Sequence, residues 1–293
     1  MTDSTAIGDR MKRHEAAYRQ LLPRRTYSVL RVDGKAFHSY LRGCPRPFDE
    51  EFMAHMDAVA EALCAEISGA VMAYTQSDEI SVLFTDFGSP GTEPWLGGVL
   101  AKQLTIAASL ATAVLNEHRP GKRALFDARV FTIADPVEVA NYFIWRQRDA
   151  VRNSISMAAQ ARYSHGQLHH VNTSQMQEML FREHGINWND YPVGCKRGRT
   201  TVRQSGEREV RYTDKRTQQE VVTVATRTWW ETAGAEHFTA APDGWLARTI
   251  PAMPTLIPPA RADGCTCSHP DGWANPIGHS ALCQIERRET SRP

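Results

Sequence analysis

Two acidic turns carry the chemistry of this chain. Tyr27 to Val32 (YSVLRV) ends in Asp33-Gly34, and Ala70 to Gln76 (AVMAYTQ) runs into Ser77-Asp78-Glu79 before a second apolar run, ISVLF. Both runs are strand-length blocks rich in β-branched and aromatic residues, so the acids sit at strand ends. Brought together, Asp33, Asp78 and Glu79 repel one another unless cations lie among them, which is the character of a divalent-metal site. Such a site suits phosphoryl transfer, because metal ions held by fixed oxygens neutralise a leaving pyrophosphate and activate an attacking hydroxyl. Asp33 and the Gly34 carbonyl can chelate from one strand end and Asp78 from the other. Gly34 also lets the backbone approach a phosphate, and Lys35 to His38 then offer N–H groups to a triphosphate. Taken singly, Asp-Gly and Ser-Asp-Glu are ordinary turns. Only the pair points to chemistry.

The elements that position these acids follow from periodicity. Residues 9–20 have helical character and stop before Pro23. From Phe48 to about Ile67, Phe52, Met56, Val59, Ala60 and Leu63 recur at spacings of three and four, which predicts an amphipathic helix closed by Gly69. After the acidic hairpin and a Gly/Pro-rich loop, a second long helix is expected from Trp95 to His118. Ala128 to Ile133 alternates as a strand, and Pro136 opens a third helical region reaching about Tyr163. Strand, helix, hairpin, helix, strand is the order of a ferredoxin-like unit, the arrangement of nucleotide polymerase palms. The expected class is therefore α+β, an antiparallel sheet with helices on one face, followed by a C-terminal helix and β-hairpin region. Arg199 to Arg227 alternates as that hairpin, with its turn expected at Ser205-Gly206. Pro242, Pro251, Pro254, Pro258 and Pro259 predict an extended linker over 241–259. The expected boundaries are a palm over 1–140, the helical and hairpin region over 141–231, and a linker and tail over 232–293.

The chain has 293 residues, 42% hydrophobic content and a net charge of +1, the composition of a folded protein without whole-surface attraction to nucleic acid. No apolar run approaches the roughly 20 residues of a membrane span, and the N-terminus lacks the apolar core of a signal peptide, so a cytoplasmic location and no membrane partner are expected. Six cysteines, three scattered and three crowded into the tail, fit a reducing compartment.

RVDGKAFHSY, PRPFDEEF, AYTQSDEISVLF, FDARVF and YFIWRQRDA resemble the catalytic core of the tRNA-His guanylyltransferase family over about Tyr18 to Arg203. The resemblance implies a Mg²⁺-dependent palm enzyme that adds nucleotides to the 5′ end of tRNA, with GTP and ATP as substrates and a homotetramer as the working assembly. By motif, Asp33, the Gly34 carbonyl and Asp78 hold two Mg²⁺ ions, and Glu79 completes the acidic set needed for activity. The same match places Asp33, Gly34, Lys35, Ala36, Phe37, His38, Ser77 and Asp78 at the nucleotide, with Arg46 and Asp49 near it. Arg46 stands where the family more often has Lys, and Asp49 can equally cap the following helix. After YFIWRQRDA the chain reads VRNSISMA rather than HINNLYNT, a form that looks like the bacterial Thg1-like branch associated with template-dependent repair of shortened 5′ ends. Strict addition of one G to tRNA-His is thereby put in question.

Arg146, Arg148, Arg152 and Asn153 have the spacing of one helical face and can grip the RNA end, unless the face is solvated or internally paired. Trp145 beside them reads as core rather than as a base-stacking platform. Lys196, Arg197 and Arg199 open a basic stretch reaching Arg227, with Tyr212 interleaved, that can meet tRNA phosphates. In the tail, Cys265, Cys267, His269, His279 and Cys283 are zinc-ligand types at a spacing unusual for zinc knuckles. Two other readings keep the same residues: a palm-type nucleotide cyclase, and a non-catalytic tRNA-binding protein.

Overall fold

The computed structural model describes residues 6–239 and 244–254. The described residues through Ala252 form one compact unit. In chain order its elements begin with α1 (Ala6–Ala16), β1 (Tyr27–Gly34), the single turn α2 (Phe37–Tyr40), α3 (Glu50–Glu66), β2 (Ala70–Gln76) and β3 (Glu79–Thr85). There follow α4 (Leu100–His118), β4 (Phe126–Ile133), α5 (Pro136–Gln160), α6 (Thr173–His184), α7 (Val193–Arg197), β5 (Arg199–Thr213), β6 (Glu220–Gly234) and α8 (Trp245–Thr249).

All strand pairs are antiparallel, in the order β4-β1-β3-β2-β5-β6. The first four reproduce the expected ferredoxin-like palm, and the C-terminal hairpin extends that sheet rather than forming a separate one. Leu30 and Val32 of β1, Ile80 and Val82 of β3 and Ala73 of β2 share one core with Phe52, Met56, Val59 and Leu63 of α3 and Ala107, Ala111 and Leu115 of α4. The two palm helices thus cover one face, as expected. Alternate residues of the same strands point the other way, and α5 covers them: Ser81 Oγ lies 2.8 Å from the Tyr142 hydroxyl. Covered on both sides, β3 is buried along its whole length, which is why it reads as a nearly continuous apolar run.

Local chemistry sets the helix ends. Asp49 caps α3 by accepting from the Phe52 N–H at 3.0 Å, and Asp135 caps α5 by accepting from the Val137 N–H at 2.7 Å, with Pro136 in the first turn. Asn172 and Gln175 form a reciprocal capping box on α6.

The C-terminal region departs from expectation twice. Ser205 and Gly206 are not the hairpin turn but lie inside β5, paired with Thr228 and Arg227. The strands reverse at 214–219, where the Asp214 carboxylate accepts from the N–H groups of Arg216 and Thr217 and the Gln219 carbonyl accepts from the Asp214 N–H. Within the stretch read as an extended linker, α8 forms, with Leu246 and Ile250 buried. No helix among the described residues is long and apolar enough to cross a membrane.

Candidate active site

Register builds the site. Asp127, Asp33, Glu79 and Gln76 align across four strands, and the row behind them is Arg129, Arg31, Ser81 and Tyr74. An acidic row therefore faces a partly basic one on the α5 side of the sheet. Arg31 reaches Glu79 at 3.8 Å and Asp33 at 4.0 Å, and Arg129 reaches Asp127 at 3.4 Å and Asp33 at 3.9 Å. Neither Arg31 nor Arg129 was singled out in the sequence, although Arg31 stands two residues before Asp33 and must share its strand face.

Glu79 is the most tightly held acid. Arg146 of α5 donates from Nε to Oε1 at 2.7 Å and from Nη2 to Oε2 at 2.6 Å, both side chains being buried. Arg146 was expected to grip RNA; burial and this two-bonded pair commit its charge to Glu79 and, at 3.1 Å, to Asp149. Glu79 correspondingly has its charge compensated within the fold.

The hairpin tip is different. Ser77 adopts a left-handed backbone (φ 48°), which turns Asp78 back toward β1, where the Gly34 N–H donates to the Asp78 carbonyl at 3.2 Å. Burial first, then the charges of Asp33 and Glu79, push the Asp78 carboxyl up to about 6 against hydrogen bonds from its own N–H and the Ser77 hydroxyl. Gly34 is required here, because a Cβ would sit 2.3 Å from the Phe37 ring. Phe37 is itself buried against Tyr40, Phe52 and Phe126, so it anchors the loop from below. The Lys35 N–H is already spent on the Leu125 carbonyl at 2.9 Å, while those of Ala36, Phe37 and His38 have no partner among the described residues.

A cavity of about 510 Å³ opens beside this tip, the size of a small-molecule site. Phe37, His38, Arg46, Asp49, Ser77 and Asp78 line it, together with Gln76 and, from α5, Asn153, Met157 and Gln160. Asp33, Gly34, Lys35 and Ala36 lie outside its wall. Arg46 is exposed. Burial favours a raised Asp49 carboxyl, but hydrogen bonds from the Phe52 N–H and from Arg119, at 3.3 Å, outweigh it and hold the group below its ordinary value. Arg119, whose guanidinium also lies over the Tyr40 and Phe52 rings, is a further wall-supporting cation that sequence patterning did not reveal.

The other expected RNA contacts divide by burial. Lys196 is buried, donating to the Asn189 carbonyl with its ammonium 5.6 Å from the Trp188 ring centre, and Arg199 is buried on Asp57 and the Met53 carbonyl. Both are fold contacts rather than free cations. Arg197 is half-buried, its carbonyl accepting from the Tyr74 hydroxyl. Arg148, Arg152 and Asn153 are exposed, the latter two turned to Asp149. Trp145, read as core, is 54% exposed. The cysteines and histidines of the tail lie outside the described residues. Among the described residues, no three His, Cys, Asp or Glu side chains converge on one point.

An antiparallel palm that offers two acidic strand ends beside a cavity of nucleotide size defines a class, the palm-type nucleotidyltransferases. Comparison with known proteins narrows it. The profile described as tRNAHis guanylyltransferase matches residues 8–134. The chain is 31% identical over 218 residues to the tRNA(His) guanylyltransferase of Debaryomyces hansenii, covering 67% of this chain and 81% of that one. Among solved structures, a bacterial tRNA(His) guanylyltransferase (Thg1)-like protein in complex with ATP superimposes with a TM-score of 0.71 at 38% identity, over 83% of this chain and 99% of that one. Such a protein in complex with GTP gives 0.64 at 39% identity, over 79% and 93%. The chain belongs to the tRNA(His) guanylyltransferase (Thg1) family and is a nucleotidyltransferase of it.

Proposed function

We propose that this chain adds nucleotides to the 5′ end of tRNA in a Mg²⁺-dependent reaction, with GTP as the typical incoming nucleotide and ATP as an activating one. The observation that carries the proposal is the Asp33–Asp78 pair: two acids at neighbouring strand ends, one with its carboxyl pushed up to about 6, beside the cavity. Their oxygens, with the Gly34 carbonyl, are hard donors of the kind Mg²⁺ takes, and a cation there offsets the burial and the neighbouring charges that raise Asp78. Bound at Asp33, Gly34 and Asp78, the metal supplies charge neutralisation at phosphate and activation of an attacking hydroxyl. The chain's own groups do the positioning. Free N–H groups of Ala36 to His38 point to a triphosphate, the Ser77 hydroxyl and Arg46 flank it, and the cavity between loop 37–49 and α5 takes the nucleoside. ATP and GTP in the similar bacterial structures support the nucleotide class.

The stretch Val151 to Ala158 favours template-dependent repair of a shortened 5′ end over addition of a single G to intact tRNA-His. A homotetramer completes the proposal. The test is incorporation of labelled nucleotide into two tRNA-His transcripts, one full-length and one lacking its first nucleotide, with each of the four nucleotides. Incorporation into the shortened RNA following the templating base supports repair. G added only to the intact RNA replaces repair with guanylylation, and a cyclic product from nucleotide alone overturns the proposal.

A further inference from the structure

Trp145 has no role in the reading above. Among the described residues it is the one exposed tryptophan, at 54%, the others being buried or half-buried. An indole left in water is a large unclaimed apolar surface. Its support is unusually fixed. The Arg146 guanidinium lies 4.5 Å from the indole centre and is itself bonded twice to Glu79, and Tyr142 meets the indole edge-on with centres 5.9 Å apart. The guanidinium thus meets the indole across its face and Glu79 along its edge, so that one side chain links the ring to the row containing Asp33.

Position along α5 matters as much. Asn153, Met157 and Gln160 line the nucleotide cavity, whereas Trp145 does not. It stands eight residues before Asn153, about 12 Å along the helix axis. One helix therefore carries both the cavity wall and, about two turns earlier, the exposed indole beside Arg146. Its surroundings suit a polyanion: Arg148 at i+3 is exposed and has no ion pair among the described residues, and Asp149 at i+4 is neutralised by Arg146 and Arg152.

We infer that Trp145 is the stacking platform for the base at the RNA 5′ end, holding the acceptor substrate beside the acidic row while the cavity holds the nucleotide. This rests on the 5′-end reaction proposed above. The indole is backed by the fixed guanidinium and more than half of the residue is exposed, a geometry that accepts any base because every base has a π-face. Arg148 then meets the adjoining phosphate.

The test uses the full chain and a tRNA transcript, lacking its first nucleotide, whose new 5′-terminal base is 2-aminopurine. Wild-type protein is expected to quench that fluorophore on binding. Trp145→Leu should lose the quenching and raise KM for RNA about tenfold, with KM for GTP and Tm unchanged. Trp145→Phe should restore most of both, and Trp145→Gln should behave as Leu does. Unchanged quenching and unchanged KM for RNA in Trp145→Leu overturn the inference. So does a loss of subunit association with RNA affinity intact, which reassigns the indole to a contact between copies. If wild-type protein incorporates no nucleotide into tRNA, the functional reading fails on its own, and the quenching comparison still decides the platform.

Discussion

Asp78 and Glu79 are adjacent in the chain and occupy opposite electrostatic surroundings. Glu79 faces α5 and has two hydrogen bonds from Arg146, with Arg31 behind it. Asp78 stands at the hairpin tip, where burial first and then the charges of Asp33 and Glu79 push its carboxyl up to about 6, and among the described residues it has no ion pair. The difference separates two kinds of acid that a sequence motif treats as one. A carboxylate whose charge is met by a buried arginine is part of the scaffold, and one left uncompensated at a cavity mouth is where an external cation belongs.

The largest effect should come from breaking the tip. Asp33→Ala or Asp78→Ala is expected to lower nucleotide incorporation by at least about 1,000-fold, the several kcal/mol that metal-held charge contributes, with circular dichroism unchanged. Breaking the clamp instead should cost the fold. Arg146→Met leaves the buried Glu79 with only the longer contacts to Arg31, at 3.8 Å, and Gln76, at 3.4 Å, and should lower stability by about 3 kcal/mol in denaturant titration, the low end for a broken buried pair. The double variant Glu79→Met with Arg146→Met should recover most of that loss.

A third prediction turns on sign. The Asp78 carboxyl is raised in the folded chain, so the fold holds its proton more tightly than the unfolded chain does, and wild-type stability falls as pH rises from about 4 through about 6. Asp78→Asn carries no such charge. It should therefore stabilise the metal-free fold by on the order of 2 kcal/mol at neutral pH, with the gain vanishing below about pH 4, while activity is lost. Equal thermal-unfolding profiles for the two proteins from pH 4 to 8 would remove the basis for the comparison. The smallest effect is at Arg152, exposed and, among the described residues, paired only with Asp149. Arg152→Ala should change stability by no more than about 0.5 kcal/mol and reduce the salt dependence of RNA binding by about one ion if it touches phosphate.

The palm was legible because its signals are local: apolar runs bounded by Asp-Gly and Ser-Asp, and an amphipathic stretch whose buried residues Phe52, Met56, Val59, Ala60 and Leu63 match the spacing read from sequence. What stayed hidden depends on partners distant in the chain. Nothing in the sequence around Arg199 shows that Asp57, 142 residues earlier, takes its guanidinium. Nor does spacing along α5 reveal that Arg146 faces the sheet while Trp145 beside it faces water. One miss had a readable cue. A Cβ on Gly206 would come within 3.2 Å of the Trp229 ring, so this glycine marks a close side-chain approach inside the strand, whereas Asp214 carries the turn chemistry that reverses the hairpin.

The most direct test of the distinction between the two acids is calorimetric titration of Mg²⁺ into the chain saturated with a non-hydrolysable GTP analogue, comparing wild type, Asp78→Asn and Glu79→Gln. The account predicts that Asp78→Asn loses at least about tenfold in Mg²⁺ affinity, the removal of one charged ligand, while Glu79→Gln stays close to wild type. Loss of Mg²⁺ binding in Glu79→Gln with Asp78→Asn unaffected would contradict it.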